Sequence, residues 1–210
     1  TNDSDRDGDT LTVSAVGGSG ADVGVDIATT YGHIQINADG SYTYNADNTA
    51  AIDGAATGSH LTDTVSYTAS DGHGGTTTTN IVITLDGAPT VVSDDGGTLS
   101  EGGATGLINA ASGVLANDSD RDGDSLAVSA VNGSGVAVNS LVATTYGHIQ
   151  VNSDGSYSYF ADNTGAIDGA PNGSHPVDVI TVTVSDGHGG TTNETLSFTI
   201  DRPATAAADS

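Results

Sequence analysis

The chain has 210 residues and a formal net charge of −24, with no Cys, Met or Trp; its only strong cations are Arg6, Arg121 and Arg202. That balance excludes nucleic acid as a partner, because neutralising phosphates takes Lys and Arg, and it disfavours an anionic membrane surface. With no Cys a disulfide framework is ruled out, which leaves bound metal as the expected staple, and no apolar run is long enough to insert into a membrane.

Residues 2–9 read Asn-Asp-Ser-Asp-Arg-Asp-Gly-Asp, and the same eight residues return at 117–124. Carboxylates stand at alternate positions, Asp3, Asp5, Asp7 and Asp9, then Asp118, Asp120, Asp122 and Asp124. Carboxylates this close repel one another unless a cation lies between them. Alternating oxygen ligands with a Gly at the turn suit a hard ion such as Ca²⁺. The pattern matches the first half of an EF-hand loop, but its twelfth position is Ser14 or Ser129 where an EF-hand has Glu. Further ligands must therefore come from elsewhere in the fold. The competing reading is a solvated acidic turn. Arg6 and Arg121 are expected to point outward or to brace a carboxylate, and Asn2 and Asn117 to offer a side-chain oxygen or an Asx-turn.

After each Asp loop come short alternating runs. Leu126, Val128 and Ala130 read as one face of a strand, and residues 136–144 as a second strand. Residues 148–152 and 156–160 flank Ser153-Asp154-Gly155, a hairpin signal that the first half repeats across Ala38-Asp39-Gly40. A long polar loop, 162–176, precedes a strand with Ile180, Val182 and Val184 on one face. The Ser-Asp-Gly-His-Gly-Gly turn at 185–190 leads to a last strand that places Leu196, Phe198 and Ile200 inward. In the first half the matching inward positions are Val65, Tyr67 and Ala69, then Ile81, Ile83 and Leu85. No segment shows helical periodicity.

A shift of 115 residues superimposes residues 1–86 on 116–201 without a gap. Such a long period suits bead-like domains better than a solenoid. The first repeat is 1–86 and lacks a counterpart of residues 88–115; the second, 87–201, is complete. Residues 202–210 are a linker or the start of a further repeat, since 203–209 echo 89–95. The chain opens in mid-motif, as a fragment of a longer protein does. In the second repeat, residues 90–93 are expected to form a first strand and 93–106 an acidic, Gly-rich loop. About seven short strands in each ~110 residues argue for an all-β fold of tandem Ig-like sandwiches, with a partly open β-barrel as the alternative.

The motifs at 114–124, 126–131, 154–159 and 184–190 together resemble the VCBS and bacterial cadherin-like repeats of RTX-type giant adhesins. The resemblance covers nearly the whole chain. It implies cadherin-like, Ca²⁺-dependent sandwiches in a tandem array on a secreted or cell-surface bacterial protein, where such arrays hold an adhesive domain off the cell and serve surface or biofilm adhesion. Cadherin-type arrays stiffen their junctions with ions. By that likeness Asp94, Asp95 and Glu101 are candidates for an inter-domain ion site with Asp86, and Asp201 for the same role at a following junction; a solubilising acidic loop remains open for these residues.

The histidines do not assemble a catalytic or zinc pattern. His73 and His188 sit in hairpin-type turns, and the nearby Ser70, Asp71, Ser185 and Asp186 are better explained by turn geometry than by nucleophilic catalysis. The expectation is a non-enzymatic structural repeat. Two rivals stand beside it. One is an extracellular filament built from copies of the chain, in which residues 203–209 of one copy complete the first repeat of the next by strand addition. The other is a carbohydrate-binding module with Tyr42 and Tyr157 as stacking platforms and Asn48 and Asn163 contacting sugar hydroxyls. For Tyr42, Tyr44, Tyr157 and Tyr159 the plainer expectation is sheet packing.

Overall fold

Alternation of apolar and polar residues gives strands whose apolar face meets a second sheet. A computed structural model describes residues 2–203, and the chain divides between Asp86 and Gly87 into two units. Each unit is an Ig-like β-sandwich.

The first unit contains β1 (Thr12–Val16), β2 (Asp26–Ala28), β3 (His33–Ile36), β4 (Tyr42–Asn45), β5 (Leu61–Ser70) and β6 (Thr76–Leu85). One sheet has the order β1-β5-β6 and the other β2-β3-β4. Val13, Val16, Ile34, Ile36 and Val65 form the core between them.

The second unit repeats this plan with one strand more. Its strands are β7 (Asp94–Ser100), β8 (Ala127–Val131), β9 (Leu141–Ala143), β10 (His148–Val151), β11 (Tyr157–Phe160), β12 (Val177–Ser185) and β13 (Thr191–Asp201). The sheets run β7-β13-β12-β8 and β11-β10-β9. All neighbours are antiparallel except β7, which lies parallel to β13 with Leu196 opposite Asp94 and Asp201 opposite Ser100. Ile180, Val182, Val184, Leu196, Phe198 and Ile200 are fully buried, as the alternation predicts. Phe198 stacks on Tyr159 with ring centroids 4.1 Å apart, and Tyr157 meets it edge-on at 5.9 Å.

The structure corrects three sequence expectations. Residues 90–93 do not form the first strand: Thr90 makes only an isolated bridge to Ser119, and the strand is β7, inside the stretch read as a loop. Gly and Asp are poor strand formers, but Gly96 lets this edge strand pass directly over Phe198, where a Cβ would come within 2.1 Å of the ring. Residues 136–144 are not one strand; a 3₁₀ turn at Gly135–Ala137 precedes the short β9. The polar loops hold single-turn helices, α1 (Thr49–Asp53) and α2 (Thr164–Asp168). Asn48 and Asn163 cap them by accepting from Ala51 N and Ala166 N, and five residues are too few for a periodicity to register.

Candidate metal centre

In both units the Asp loop is shaped by its own second carboxylate. Asp5 Oδ1 accepts from the amides of Asp7 at 2.7 Å and Asp9 at 3.2 Å. Asp120 Oδ1 accepts in the same way from Asp122 at 2.7 Å and Asp124 at 3.4 Å. These are Asx-type turns, which explain the Asp at that position without an ion. The two loops differ in burial. Asp3 and Asp7 are exposed, with Asp5 and Asp9 half-buried, whereas Asp120 and Asp122 are buried, with Asp118 and Asp124 half-buried. The second Asp120 oxygen, Oδ2, is buried without a hydrogen-bond partner.

The second loop is tied to the start of the edge strand. Asp118 Oδ1 accepts from Val92 N at 2.9 Å, and Asn117 Nδ2 donates to Val92 O and to Asp94 Oδ1 at 3.1 and 3.0 Å. Asn117 thus serves as a donor here. Asp94 Oδ2 and Asp118 Oδ2 are buried with no partner. Facing them from β13 is a residue that sequence reasoning passed over, Glu194. It is 3% exposed, and neither of its carboxylate oxygens has a hydrogen-bond partner.

The electrostatics of this trio are those of a site in need of positive charge. Burial pushes the Glu194 carboxyl up to about 8, and the charges of Asp118 and Asp94 push it in the same direction. Burial also raises Asp94, helped by the Asp118 charge, and burial raises Asp118. Four buried carboxylate oxygens from the Asp loop, β7 and β13 suit a hard divalent cation of the Ca²⁺ type.

The remaining candidates lie apart from this trio. Asp95 is exposed and accepts from Gly97 N at 2.8 Å. Glu101 follows β7, with its amide donating to Asp201 O at the end of β13. The Asp201 carboxylate lies 3.7 Å from His175 Nδ1. Asp86 is the exposed last residue of the first unit. Asp124 pairs with His188 at 3.2 Å and Asp9 with His73 at 3.3 Å, which ties each Asp loop to the Ser-Asp-Gly-His-Gly-Gly turn of its own unit.

The first unit treats its corresponding positions differently. Tyr67 donates to Asp3 Oδ2 at 2.6 Å, and Tyr67 faces Thr79 across the sheet, where the second unit pairs Val182 with Glu194. That hydrogen bond, with burial behind it, raises the Tyr67 phenol.

A second pair of acids, also unforeseen, is structural. Asp178 is buried and accepts from Thr144 Oγ1, Tyr159 OH and the amides of Thr145 and Tyr146 at 2.5–3.1 Å. Asp63 repeats this with Thr29, Tyr44, Thr30 and Tyr31. Burial raises the Asp63 carboxyl, yet the four donors more than offset it and hold it below its usual value, while burial and Asp63 push the Tyr44 phenol up to about 12.

The sugar-stacking expectation fails for Tyr157, which is 7% exposed under Ile108 and against Phe198. Asn48 and Asn163 are committed to helix caps and to the carbonyls of Thr30 and Thr145.

A family model described as the bacterial cadherin-like domain matches residues 1–87 and 86–202. No curated protein matches the chain. Among solved structures, an endo-fucoidan hydrolase from glycoside hydrolase family 107 aligns over 94% of this chain and 24% of its own, at 16% identity and a TM-score of 0.33. Drosophila N-cadherin EC1-4 aligns over 92% of this chain and 41% of its own, at 14% identity and a TM-score of 0.33. The human desmocollin-1 ectodomain aligns over 68% and 26%, at 13% identity and 0.34. The chain therefore spans less than half the length of each of these structures.

Proposed function

The chain belongs to the bacterial cadherin-like domain family, an extracellular adhesion-type repeat, and from that premise we propose that it is a Ca²⁺-stiffened extender segment of a secreted bacterial surface adhesin. The observation that carries this reading is the trio Asp94, Asp118 and Glu194, whose buried oxygens have no protein partner. A cation held there links the Asp loop, the edge strand and the adjoining central strand. It replaces mutual repulsion of three carboxylates by attraction to one ion. The function is mechanical and non-catalytic: a repeat that is rigid when Ca²⁺ is present outside the cell and loosened when it is absent. In an RTX-type array of VCBS-like repeats, such segments space an adhesive end from the cell and serve surface or biofilm attachment.

Calorimetry of the full chain with Ca²⁺ and with excess chelator tests the proposal. Extracellular Ca²⁺ modules bind with Kd of roughly 10⁻⁴–10⁻³ M. At about 100 times Kd, linkage contributes about 2.7 kcal/mol, which moves the melting midpoint of a domain this size by on the order of 10 °C. Glu194→Gln weakens binding about tenfold or more. A midpoint that excess chelator leaves unchanged refutes the reading.

A further inference from the structure

The outermost strand of a sheet leaves N–H and C=O groups unpaired, and proteins guard such an edge with charge or a covering segment. The second unit guards three of its four sheet edges. β7 carries Asp94 and Asp95. The outer side of β8 is covered by the hairpin, with Val128 N donating to Ser153 O at 3.0 Å. That of β11 is covered by Ala104 and Ile108, which bridge Phe160 and Tyr157. The fourth edge is β9, and among the described residues no strand pairs with its outer side.

The first unit charges the same edge. Its β2 begins with Asp26, and Asp22 lies in the turn before it. The second unit has Leu141 and Ala137 at those positions, and Val136 in place of Ala21. Residues 125–153 contain no Asp, Glu, Lys or Arg, in a chain of net charge −24. Leu141 is 60% exposed and Val136 88%. Ser140 Oγ donates to Val136 O at 3.2 Å and so ties the turn to the start of β9. The backbone faces outward as well. Thr144 N donates to Gly147 O at 2.9 Å across the turn into β10. Bonded and non-bonded positions alternate along an antiparallel pair, so Val142 bonds towards β10 while Leu141 and Ala143 turn their amides and carbonyls to the open side.

We propose that β9 is a docking edge for β9 of a second copy of this chain. A two-fold axis at Val142 sets Leu141 of each copy opposite Ala143 of the other, and these pairs exchange N–H···O bonds across the axis. The two three-stranded sheets become one continuous sheet, with Val136 and Leu141 of both copies flanking the joint. A second copy is the fitting occupant because the edge is self-complementary and uncharged, whereas copies of so acidic a chain repel elsewhere. The carboxylates that follow β9 in the sequence are engaged within the unit: Asp154 accepts from Ser156 N and Oγ, and Asp162 holds His148 at 2.8 Å. The contact is isologous and closes at two copies, so it joins neighbouring molecules side by side. It is smaller than the ~1,200 Å² at which stable interfaces begin, which makes the association weak and reversible. This inference does not depend on the cation reading.

Sedimentation equilibrium of the full chain in excess chelator, at low and high NaCl, is the test. The expected result is a monomer–dimer equilibrium that tightens as salt rises, because screening removes the repulsion between copies and leaves the edge bonds intact. Leu141→Asp, which restores the charge of the first unit, weakens dimerisation about tenfold or more. Ala143→Pro does so without adding charge, by removing an outward N–H. Both variants keep the circular dichroism and melting of the monomer. Amide exchange slows at Leu141 and Ala143 in the dimer. A chain that stays monomeric at every concentration and salt, association that weakens with salt, or equal dimerisation by both variants overturns the proposal. Association that disappears on deleting residues 203–210, a segment mostly outside the described residues, also overturns it and places the contact in the tail.

Discussion

Glu194 is the residue on which the chemistry of the second unit turns. Its folded carboxyl titrates near 8, against ~4.3 when unfolded. Between those values the folded state binds more protons than the unfolded one. In chelator, stability of the second unit therefore falls as pH rises from about 4.3 to about 8 and then levels, at up to ~1.4 kcal/mol per pH unit within the window. Urea midpoints measured from pH 5 to 9 check this, and Glu194→Gln is expected to flatten the curve. Asp178 behaves oppositely in kind: its oxygens are already satisfied by four donors, so no ion is called for. Asp178→Asn turns an amide N–H₂ towards hydroxyl and amide donors and is expected to cost about 3 kcal/mol in the same urea assay, with Ca²⁺ affinity unchanged. Both acids leave a mark in the sequence that periodicity alone does not price. Glu194 stands in the inward phase of Leu196, Phe198 and Ile200, and Asp178 in that of Ile180, Val182 and Val184. A carboxylate on the buried parity of a strand is the signal that finds them; whether its partners are donors or other acids emerges only from the fold.

At the scale of elements, the strands with clean alternation were legible, and so was the hairpin across Ser153-Asp154-Gly155, where Gly155 adopts φ +83° and Asp154 accepts from Ser156. The edge strand β7 was not. Its Asp-Asp-Gly-Gly start carries turn residues, and only the bulky Phe198 beneath it explains why a side chain is excluded at position 96. Gly96→Ala is therefore expected to destabilise the second unit by about 1–3 kcal/mol through overpacking against the ring. It should also weaken Ca²⁺ binding, since Asp94 is carried on the same strand. Combining it with Phe198→Leu, which shortens the side chain beneath, should recover a large part of both losses. Failure of that rescue would show that Gly96 is needed for its backbone and not for the space above Phe198. The same dependence explains why the candidate site was only half legible: Asp118 lies in a repeated acidic motif, whereas Asp94 and Glu194 join it solely because β7 runs parallel beside β13.

Across the whole chain, the two repeats share their Asp loops, hairpins and buried Asp63 and Asp178 clamps, yet they answer the same electrostatic problem in different ways. Where the second unit sets Glu194 against Asp118, the first sets a phenol against Asp3, and Tyr67 satisfies an Asp3 oxygen whose counterpart in the other copy, Asp118 Oδ2, is buried without a hydrogen-bond partner. A chain of net charge −24 gains from neutralisation everywhere, but a bound ion contributes most where carboxylates are buried and unpartnered. The greater part of the Ca²⁺-dependent stabilisation is therefore expected in the second unit. Calorimetry should resolve two transitions, of which the one assigned to the second unit by Asp178→Asn moves strongly with Ca²⁺ and the other little. Exchanging the cross-strand pair, Val182→Tyr with Glu194→Thr, should give the second unit the first unit's behaviour. Its midpoint in chelator holds or rises, because the new hydroxyl donates to Asp118 and a buried carboxylate is gone, while its response to Ca²⁺ falls by more than half. If the exchanged variant keeps the full Ca²⁺ shift, the ion binds elsewhere on the Asp loops and the trio is not its seat.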